Sequence, residues 1–119
     1  MKYLYLTLSS AIIAYLVLLI FIYFYQRHLL YHPLENNYQN DKIQFSYEEI
    51  FIKVDDKITL KSWLINKDFR EFKTLVLFHG NAGDLSNRIY KLNELNKLDI
   101  NILLISWRGF SGNKGSPTE

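Results

Sequence analysis

The hydrophobic pattern changes sharply after the first 26 residues of this 119-residue chain. In residues 3–26 no side chain other than tyrosine is ionisable, and most positions are apolar. A helix of about 24 residues, rising about 1.5 Å per residue, crosses a hydrocarbon core of about 30 Å. Aromatic residues gather at both ends, as expected at the two interfaces of a bilayer. We therefore predict a single-pass membrane anchor over residues 1–27, with the lipid bilayer as its partner.

Two alternatives to an uncleaved anchor are a cleavable signal peptide and a buried core helix. A signal peptide needs a shorter apolar region followed by small residues, and YFYQR at residues 23–27 offers no such cleavage site. Lys2 and the α-amino group on one flank nearly balance Arg27 on the other, so the membrane orientation stays open. His28 and His32 follow the anchor, and we interpret them as interfacial or loop histidines rather than as a metal pair.

The pattern beyond the anchor predicts a connector and then a hairpin. Residues 28–46 are polar, contain Pro33 and show no period, which is typical of a connector. Two runs rich in β-branched and aromatic residues follow, at residues 47–54 and 58–65. The Asp-Asp-Lys between them suits a tight turn, so we predict an antiparallel pair of strands.

The second half of the chain has the pattern of an α/β unit. Residues 74–78 and 101–106 are short continuous apolar runs, typical of strands that are buried on both faces. Between them apolar residues recur at helical spacing, and Asp84 or Ser86 is available to cap the helix. The helical positions are Leu85, Ile89, Leu92, Leu95 and Leu98. Strand, glycine loop, helix and strand together predict a right-handed βαβ unit with parallel strands.

Composition excludes several classes of function. With 14 Lys and Arg against 12 Asp and Glu, the formal net charge is only +2, and no basic run marks a nucleic-acid partner. The absence of cysteine removes disulfides, thiolate catalysis and cysteine-based metal sites. The glycine loop at residues 80–83 matches neither the dinucleotide fingerprint nor the P-loop. We therefore expect neither a cofactor nor a metal.

That glycine loop, His79-Gly80-Asn81-Ala82-Gly83, lies between the first strand of the α/β unit and its helix. Acyl transfer needs backbone N–H groups aimed at a developing oxyanion, and a loop of this kind supplies them where the helix dipole also favours negative charge. A tight turn that merely needs small residues would have the same composition. The residues alone leave both interpretations open.

Two motifs together resemble the α/β-hydrolase superfamily. They are FHGNAG at residues 78–83 and WRGFSGNKGSPTE at residues 107–119, each directly after a predicted buried strand. More narrowly they resemble its membrane-anchored serine-hydrolase branch, the BEM46-like or ABHD13-like group, and residues 26–33 resemble the segment that follows the anchor in that group. The resemblance implies an N-terminal transmembrane helix followed by an incomplete α/β-hydrolase sheet, made of a β-hairpin and one βαβ unit.

The resemblance also implies roles for the first motif. It nominates the backbone N–H groups of Asn81 and Ala82 as oxyanion-hole donors. It gives His79, Gly80 and Gly83 structural roles, and His79 is therefore not expected to be a catalytic base.

For the second motif the resemblance implies a structural corner below the active-site face. Gly109 meets a backbone demand there, and Arg108 binds neighbouring loops. The sequence departs from the usual pattern at Ser106, where Asp is common, and at Ser111, where Gly is common.

The nucleophile of the superfamily lies in a G-x-S-x-G elbow on a later strand, followed by the acid and the histidine. This motif is absent from the sequence, since GFSG at residues 109–112 has its second glycine one residue too early. We assign no catalytic residue and expect residues 47–119 to be the N-terminal part of a hydrolase domain, truncated before the elbow. SPTE at residues 116–119 supports this, because it is a capping box for a helix that has no body in the chain.

Three functions remain open at this point. The chain is most simply an inactive fragment of a membrane-anchored serine hydrolase of esters, thioesters or amides. It is alternatively a half-subunit completed by a separately encoded C-terminal hydrolase fragment, since the strand at residues 74–78 would leave an edge for another strand. The third possibility is a membrane-anchored interaction protein that performs no chemistry.

Overall fold

The structure, a computed structural model, describes residues 1–34 and 42–117 and contains two compact units. The first unit is helix α1 (Lys2–Leu30), 29 residues long. It is long and apolar enough to cross a membrane, and none of its residues is buried. The predicted apolar helix is confirmed, and it ends at Leu30 rather than at residue 27.

The second unit begins at Tyr31 and contains a four-stranded sheet, a two-stranded sheet and a short α-helix among its described residues. Its elements are β1 (His32–Pro33), β2 (Glu48–Lys53), β3 (Thr59–Ile65), β4 (Thr74–Phe78), β5 (Ala82–Gly83), α2 (Ile89–Leu95) and β6 (Asn101–Ile105). A 3₁₀ turn, Ser86–Arg88, leads directly into α2. The larger sheet has the order β2-β3-β6-β4, and the smaller sheet pairs β1 with β5.

The predicted hairpin is formed by β2 and β3, which pair in antiparallel register. An aspartate turn closes it: Asp55 Oδ1 accepts the N–H groups of Lys57 and Ile58, both at 2.8 Å. Aspartate favours such turns because its side chain bonds backbone groups a few residues ahead.

The predicted βαβ unit is also present. β4 and β6 are parallel, with Thr74 opposite Asn101 and Phe78 opposite Ile105. β6 also pairs with β3 in antiparallel register, which joins the hairpin to the unit and makes the sheet mixed. The predicted fold class, an apolar helix followed by a partial α/β sheet, is therefore confirmed.

The core lies where α2 and the 3₁₀ turn meet one face of the sheet. Its buried residues are Trp63, Ile65, Leu85, Ile89, Leu92, Ile102 and Leu104. Three of the predicted helical positions belong to this cluster, but Leu98 does not. α2 ends at Leu95, and the chain turns towards β6 through bonds such as Leu98 N–H to Leu95 O at 3.0 Å. Leu98 is consequently 53% exposed.

The structure corrects the prediction that β4 is buried on both faces. β4 is an edge strand of the sheet, and Leu77 packs against the core. Successive side chains of a strand point to opposite faces, so Val76 and Phe78 lie on the other face, where they are 45% and 55% exposed. The continuous apolar run of β4 does not distinguish a covered face from an uncovered one.

Two predicted segments lie partly outside the described residues. Within the predicted connector, residues 28–30 belong to α1, residues 32–33 form β1, and residues 35–41 are not described. In the predicted capping box, Thr118 and Glu119 are not described either.

Candidate functional site

The two motifs meet at one edge of the sheet. β4 and β6 are parallel, so the loops that follow them leave from the same side, which is where α/β folds commonly bind ligands. Trp107 links the two loops, since its indole Nε1 donates to the carbonyl oxygen of His79 at 2.8 Å. Its ring also stacks on Phe78 with centroids 5.0 Å apart.

Every carbonyl oxygen of the glycine loop at residues 80–83 accepts a hydrogen bond. The Gly80 carbonyl accepts from His79 Nδ1 at 2.7 Å, and the Asn81 carbonyl accepts the His32 N–H at 2.9 Å. The Ala82 carbonyl accepts from Arg88 Nη2 at 3.1 Å, and the Gly83 carbonyl accepts the Leu34 N–H at 3.0 Å. A peptide unit is planar, so fixing a carbonyl also fixes the N–H of the following residue.

The fixed peptides include both predicted oxyanion donors. The Gly80 carbonyl shares a peptide with the Asn81 N–H, and the Asn81 carbonyl shares one with the Ala82 N–H. Donors that are oriented before the reaction stabilise developing charge without reorganisation. The geometry is compatible with an oxyanion hole, and the roles of Asn81 and Ala82 stay a prediction.

The helix start is closed by a reciprocal pair. Asp84 Oδ1 accepts the Asn87 N–H at 3.1 Å, and Asn87 Oδ1 accepts the Asp84 N–H at 2.9 Å. This is the logic of a capping box, in which two backbone donors are satisfied by two side chains. Gly83 precedes the pair with φ +88°, and a Cβ there would overlap Asn87 Oδ1.

His79 is buried, with 5% of its surface exposed. Donation from Nδ1 to the Gly80 carbonyl leaves Nε2 as the acceptor, and the Trp107 N–H lies 3.3 Å from it. Burial lowers the pKa of His79, and the Arg88 charge lowers it further, while the Gly80 carbonyl and Asp84 oppose the shift. The neutral tautomer with its proton on Nδ1 is therefore the form that holds the loop.

A buried pair of serines completes the hydrogen bonding of this imidazole. Ser106 Oγ lies 3.2 Å from His79 Nε2 and 2.9 Å from Ser111 Oγ, and Ser111 Oγ accepts the Leu85 N–H at 3.0 Å. Ser106 Oγ donates to Ser111 Oγ, so the two hydroxyls and the imidazole belong to one connected network. The network joins the second loop to the first.

The two departures from the family pattern are thus in contact with each other. Ser111 has φ +54°, a left-handed conformation that favours glycine, and its hydroxyl compensates by bonding Ser106 and the Leu85 N–H. The sequence shows Ser106 and Ser111 as two departures from the family pattern but does not predict their contact. The occurrence of both serines in one sequence was the signal from which this pair could have been predicted.

The Arg108-Gly109 turn lies at the rim of the same edge. Arg108 Nη2 reaches Asp55 Oδ2 in the hairpin turn at 3.2 Å. Gly109 has φ +75°, and a Cβ there would come within 2.9 Å of the Gly115 carbonyl oxygen. The turn therefore needs glycine for backbone reasons.

A groove of about 530 Å³ opens beside the glycine loop. Gly80 and Asn81 line one part of it, and its apolar wall includes Leu60, Trp107 and Phe110. The groove offers an apolar group a place next to Asn81. The predicted chemistry of these residues is stabilisation of negative charge, and the residues predicted for the site include no nucleophile.

Known proteins resemble the chain over part of their length. No model of a protein family matches it. Protein bem46 of Schizosaccharomyces pombe is 33% identical over 113 residues, which cover 87% of this chain and 38% of the yeast protein. The uncharacterized protein Rv2307c of Mycobacterium tuberculosis is 27% identical over 103 residues, covering 85% of this chain and 37% of its own. The chain therefore spans less than two fifths of these relatives.

Solved structures agree on the fold. The esterase Pf2001 of Pyrococcus furiosus superposes with a TM-score of 0.54 and 18% identity, covering 74% of this chain and 35% of the esterase. At this identity the likeness shows the fold alone. The yeast relative, 33% identical over 113 residues, carries the family assignment. The chain is part of a protein of the BEM46-like group of the α/β-hydrolase superfamily. The family resemblance predicted from the two motifs is confirmed.

The contrast between two glycines of this BEM46-like chain is testable. Gly83→Ala places a Cβ on a residue in a left-handed conformation, which costs about 1–2 kcal/mol of folding free energy. The added Cβ also displaces Asn87 from its bond to Asp84. We expect the thermal midpoint to fall by at least about 4 °C. The matched control is Gly80→Ala, because a Cβ there meets nothing within 4 Å. Thermal unfolding followed by circular dichroism would contradict the account if both variants were equally destabilised.

Protonation of His79 predicts a pH dependence of stability. The pKa of His79 is lowered in the folded chain, so the buried neutral ring contributes its full share of the folding stability above the ordinary value of 6.5. Below that value the unfolded state takes up the proton first, and the contribution is lost as the pH falls. We expect stability to decline between pH 7.5 and 5.5 more steeply in the native chain than in His79→Gln. Denaturant titrations across this range measure the difference, and equal slopes would refute the assignment.

Proposed function

We propose that this chain is the membrane-anchored N-terminal part of a serine hydrolase and supplies the oxyanion loop of its active site. The observation that carries the proposal is the complete engagement of the carbonyl oxygens at residues 80–83, since it orients the N–H groups that follow them. Acyl transfer to a serine uses donors held in this way. The substrate class would be an ester, thioester or amide, as implied by the family.

The chain by itself is proposed to lack hydrolytic activity. It contains no G-x-S-x-G elbow. An oxyanion hole without its nucleophile retains only a small part of the rate enhancement of a serine hydrolase. The oxyanion loop would act once a nucleophile is placed beside it.

The membrane anchor is proposed to be α1. It is 29 residues long, and it has no acidic residue in its first turn and two basic residues, Arg27 and His28, in its last. We expect the full chain to stay in the membrane pellet after alkaline carbonate extraction and to keep its native N-terminus, as read by mass spectrometry. A chain that is released, or that is shortened at residues 20–30, would instead indicate a cleaved signal sequence.

A second candidate, a half-subunit completed by another polypeptide, has specific support. The edge strand β4 carries backbone groups that a further strand can pair with. On the face opposite the core, Val76 and Phe78 are exposed, and Leu103 and Ile105 of β6 are only half-buried. Sheets with parallel strands are normally covered on both faces. A segment that supplies a strand and a covering helix would bury this apolar surface.

Co-expression tests the two candidates. The full chain is produced with and without a polypeptide encoded downstream that contains a G-x-S-x-G elbow, and both samples are treated with a fluorophosphonate probe. The half-subunit candidate predicts labelling of the partner only when the chain is present. Val76→Lys should abolish this labelling by placing a charge on the uncovered face. Tyr90→Lys is the matched control, since Tyr90 is 70% exposed on α2.

The other outcomes are equally informative. Labelling of this chain without a partner would overturn the proposal that it is inactive alone. Absence of labelling with the partner would exclude the half-subunit and leave the inactive fragment.

A further inference from the structure

The segment directly after α1 does more than connect. We propose that residues 31–34, here named the strap, position one of the two oxyanion donors, so that His32 and Leu34 act as positioning residues through their backbone groups. The inference rests on the proposed function of the glycine loop. It assigns to a segment predicted as a connector a part in shaping the site.

The strap contacts the loop through alternate residues. The His32 N–H donates to the Asn81 carbonyl at 2.9 Å, and the Leu34 N–H donates to the Gly83 carbonyl at 3.0 Å. In an extended strand alternate N–H groups point the same way, so the position between these two faces away from the loop. Pro33 occupies that position, where its missing N–H removes no bond to the loop. The alternation suits a strand that pairs on one side only.

The first of these bonds bears on the oxyanion hole directly. The Asn81 carbonyl and the Ala82 N–H belong to one planar peptide and point in opposite directions. With the carbonyl held by His32, the Ala82 N–H is turned away from the strap. The other predicted donor, the Asn81 N–H, is set in the same manner by His79 through the Gly80 carbonyl. The two donors are therefore positioned by two different parts of the chain.

Leu34, which makes the second bond of the strap, also connects the strap to the helix start and to the second loop. The Gly83 carbonyl shares a peptide with the Asp84 N–H, which is directed at Asn87 Oδ1, 2.9 Å away. The Leu34 carbonyl accepts the Ser111 N–H at 3.3 Å. Leu34 thus bridges the glycine loop and the loop that carries the buried serine pair.

The strap provides two of the four hydrogen bonds to the loop carbonyls. Residues 80–82 are exposed, and the other two carbonyl bonds come from side chains, one of them the partly exposed Arg88. Both backbone donors to the loop carbonyls come from the strap. Removing the His32 N–H is therefore expected to release the peptide that carries the Ala82 N–H.

The test compares two substitutions of His32 in the full chain in detergent micelles, by ¹⁵N relaxation of backbone amides. His32→Pro removes the N–H, whereas the control His32→Ala keeps it and removes only the imidazole. We expect the Ala82 order parameter to fall from about 0.85 to below about 0.6 in His32→Pro and to stay near the rigid value in His32→Ala. The amides of Leu103 and Leu104 in β6 report whether the sheet remains folded.

A second variant separates the two bonds. Leu34→Pro should leave the Ala82 amide closer to its native order and mobilise the Asp84 amide. Three results would overturn the proposal: an unchanged Ala82 amide in His32→Pro, equal mobility in His32→Ala, or loss of the β6 amides in His32→Pro alone. The last would show that the strap maintains the whole sheet rather than the loop. Because no activity is measured, failure of fluorophosphonate labelling would leave this result standing.

Discussion

The orientation of four consecutive peptide units in the glycine loop is the constraint on which the rest of the site depends. Each carbonyl at residues 80–83 is bound by a different donor, and those donors come from a buried imidazole, the strap and an arginine. A backbone N–H has no freedom of its own, since its direction follows from the carbonyl of the same peptide. The surrounding elements can therefore be understood by what they do for those carbonyls.

The buried polar residues follow from the same constraint. His79 donates its Nδ1–H to the Gly80 carbonyl, while burial and the Trp107 N–H aimed at Nε2 favour the neutral ring. Ser106 Oγ lies 3.2 Å from the same nitrogen and donates to Ser111 Oγ. A buried polar network is favourable only when each member has its partner. Here His79, Ser106 and Ser111 each lie within hydrogen-bond distance of another member. The outer loops are thereby tied to the core without a charged group.

Much of the fold was predictable from periodicity, and much of the site was not. The strands, the parallel pairing and the core positions Leu85, Ile89 and Leu92 follow from local hydrophobic patterns, which reflect burial. The exposed face of β4 was not predicted. An apolar run indicates that a strand prefers burial, but it does not indicate whether another element covers each face. The strap and the serine pair were not predicted either. The hydrogen bonds of the strap join residues 49 to 77 positions apart. Ser106 and Ser111 are only 5 positions apart, but their other partners, His79 and Leu85, lie 27 and 26 positions away. Hydrogen bonds over such separations leave no local hydrophobic pattern.

One measurement tests the central claim most directly: the scalar coupling across hydrogen bonds between the backbone nitrogen of His32 and the carbonyl carbon of Asn81, in isotope-labelled full chain. The same spectrum contains the pair Leu34 and Gly83. If the strap holds the glycine loop as described, both couplings are detected together with those within the β4–β6 ladder. Detection of the ladder couplings without either strap coupling would contradict the account, because the peptide that carries the Ala82 N–H would then lack the bond that orients it.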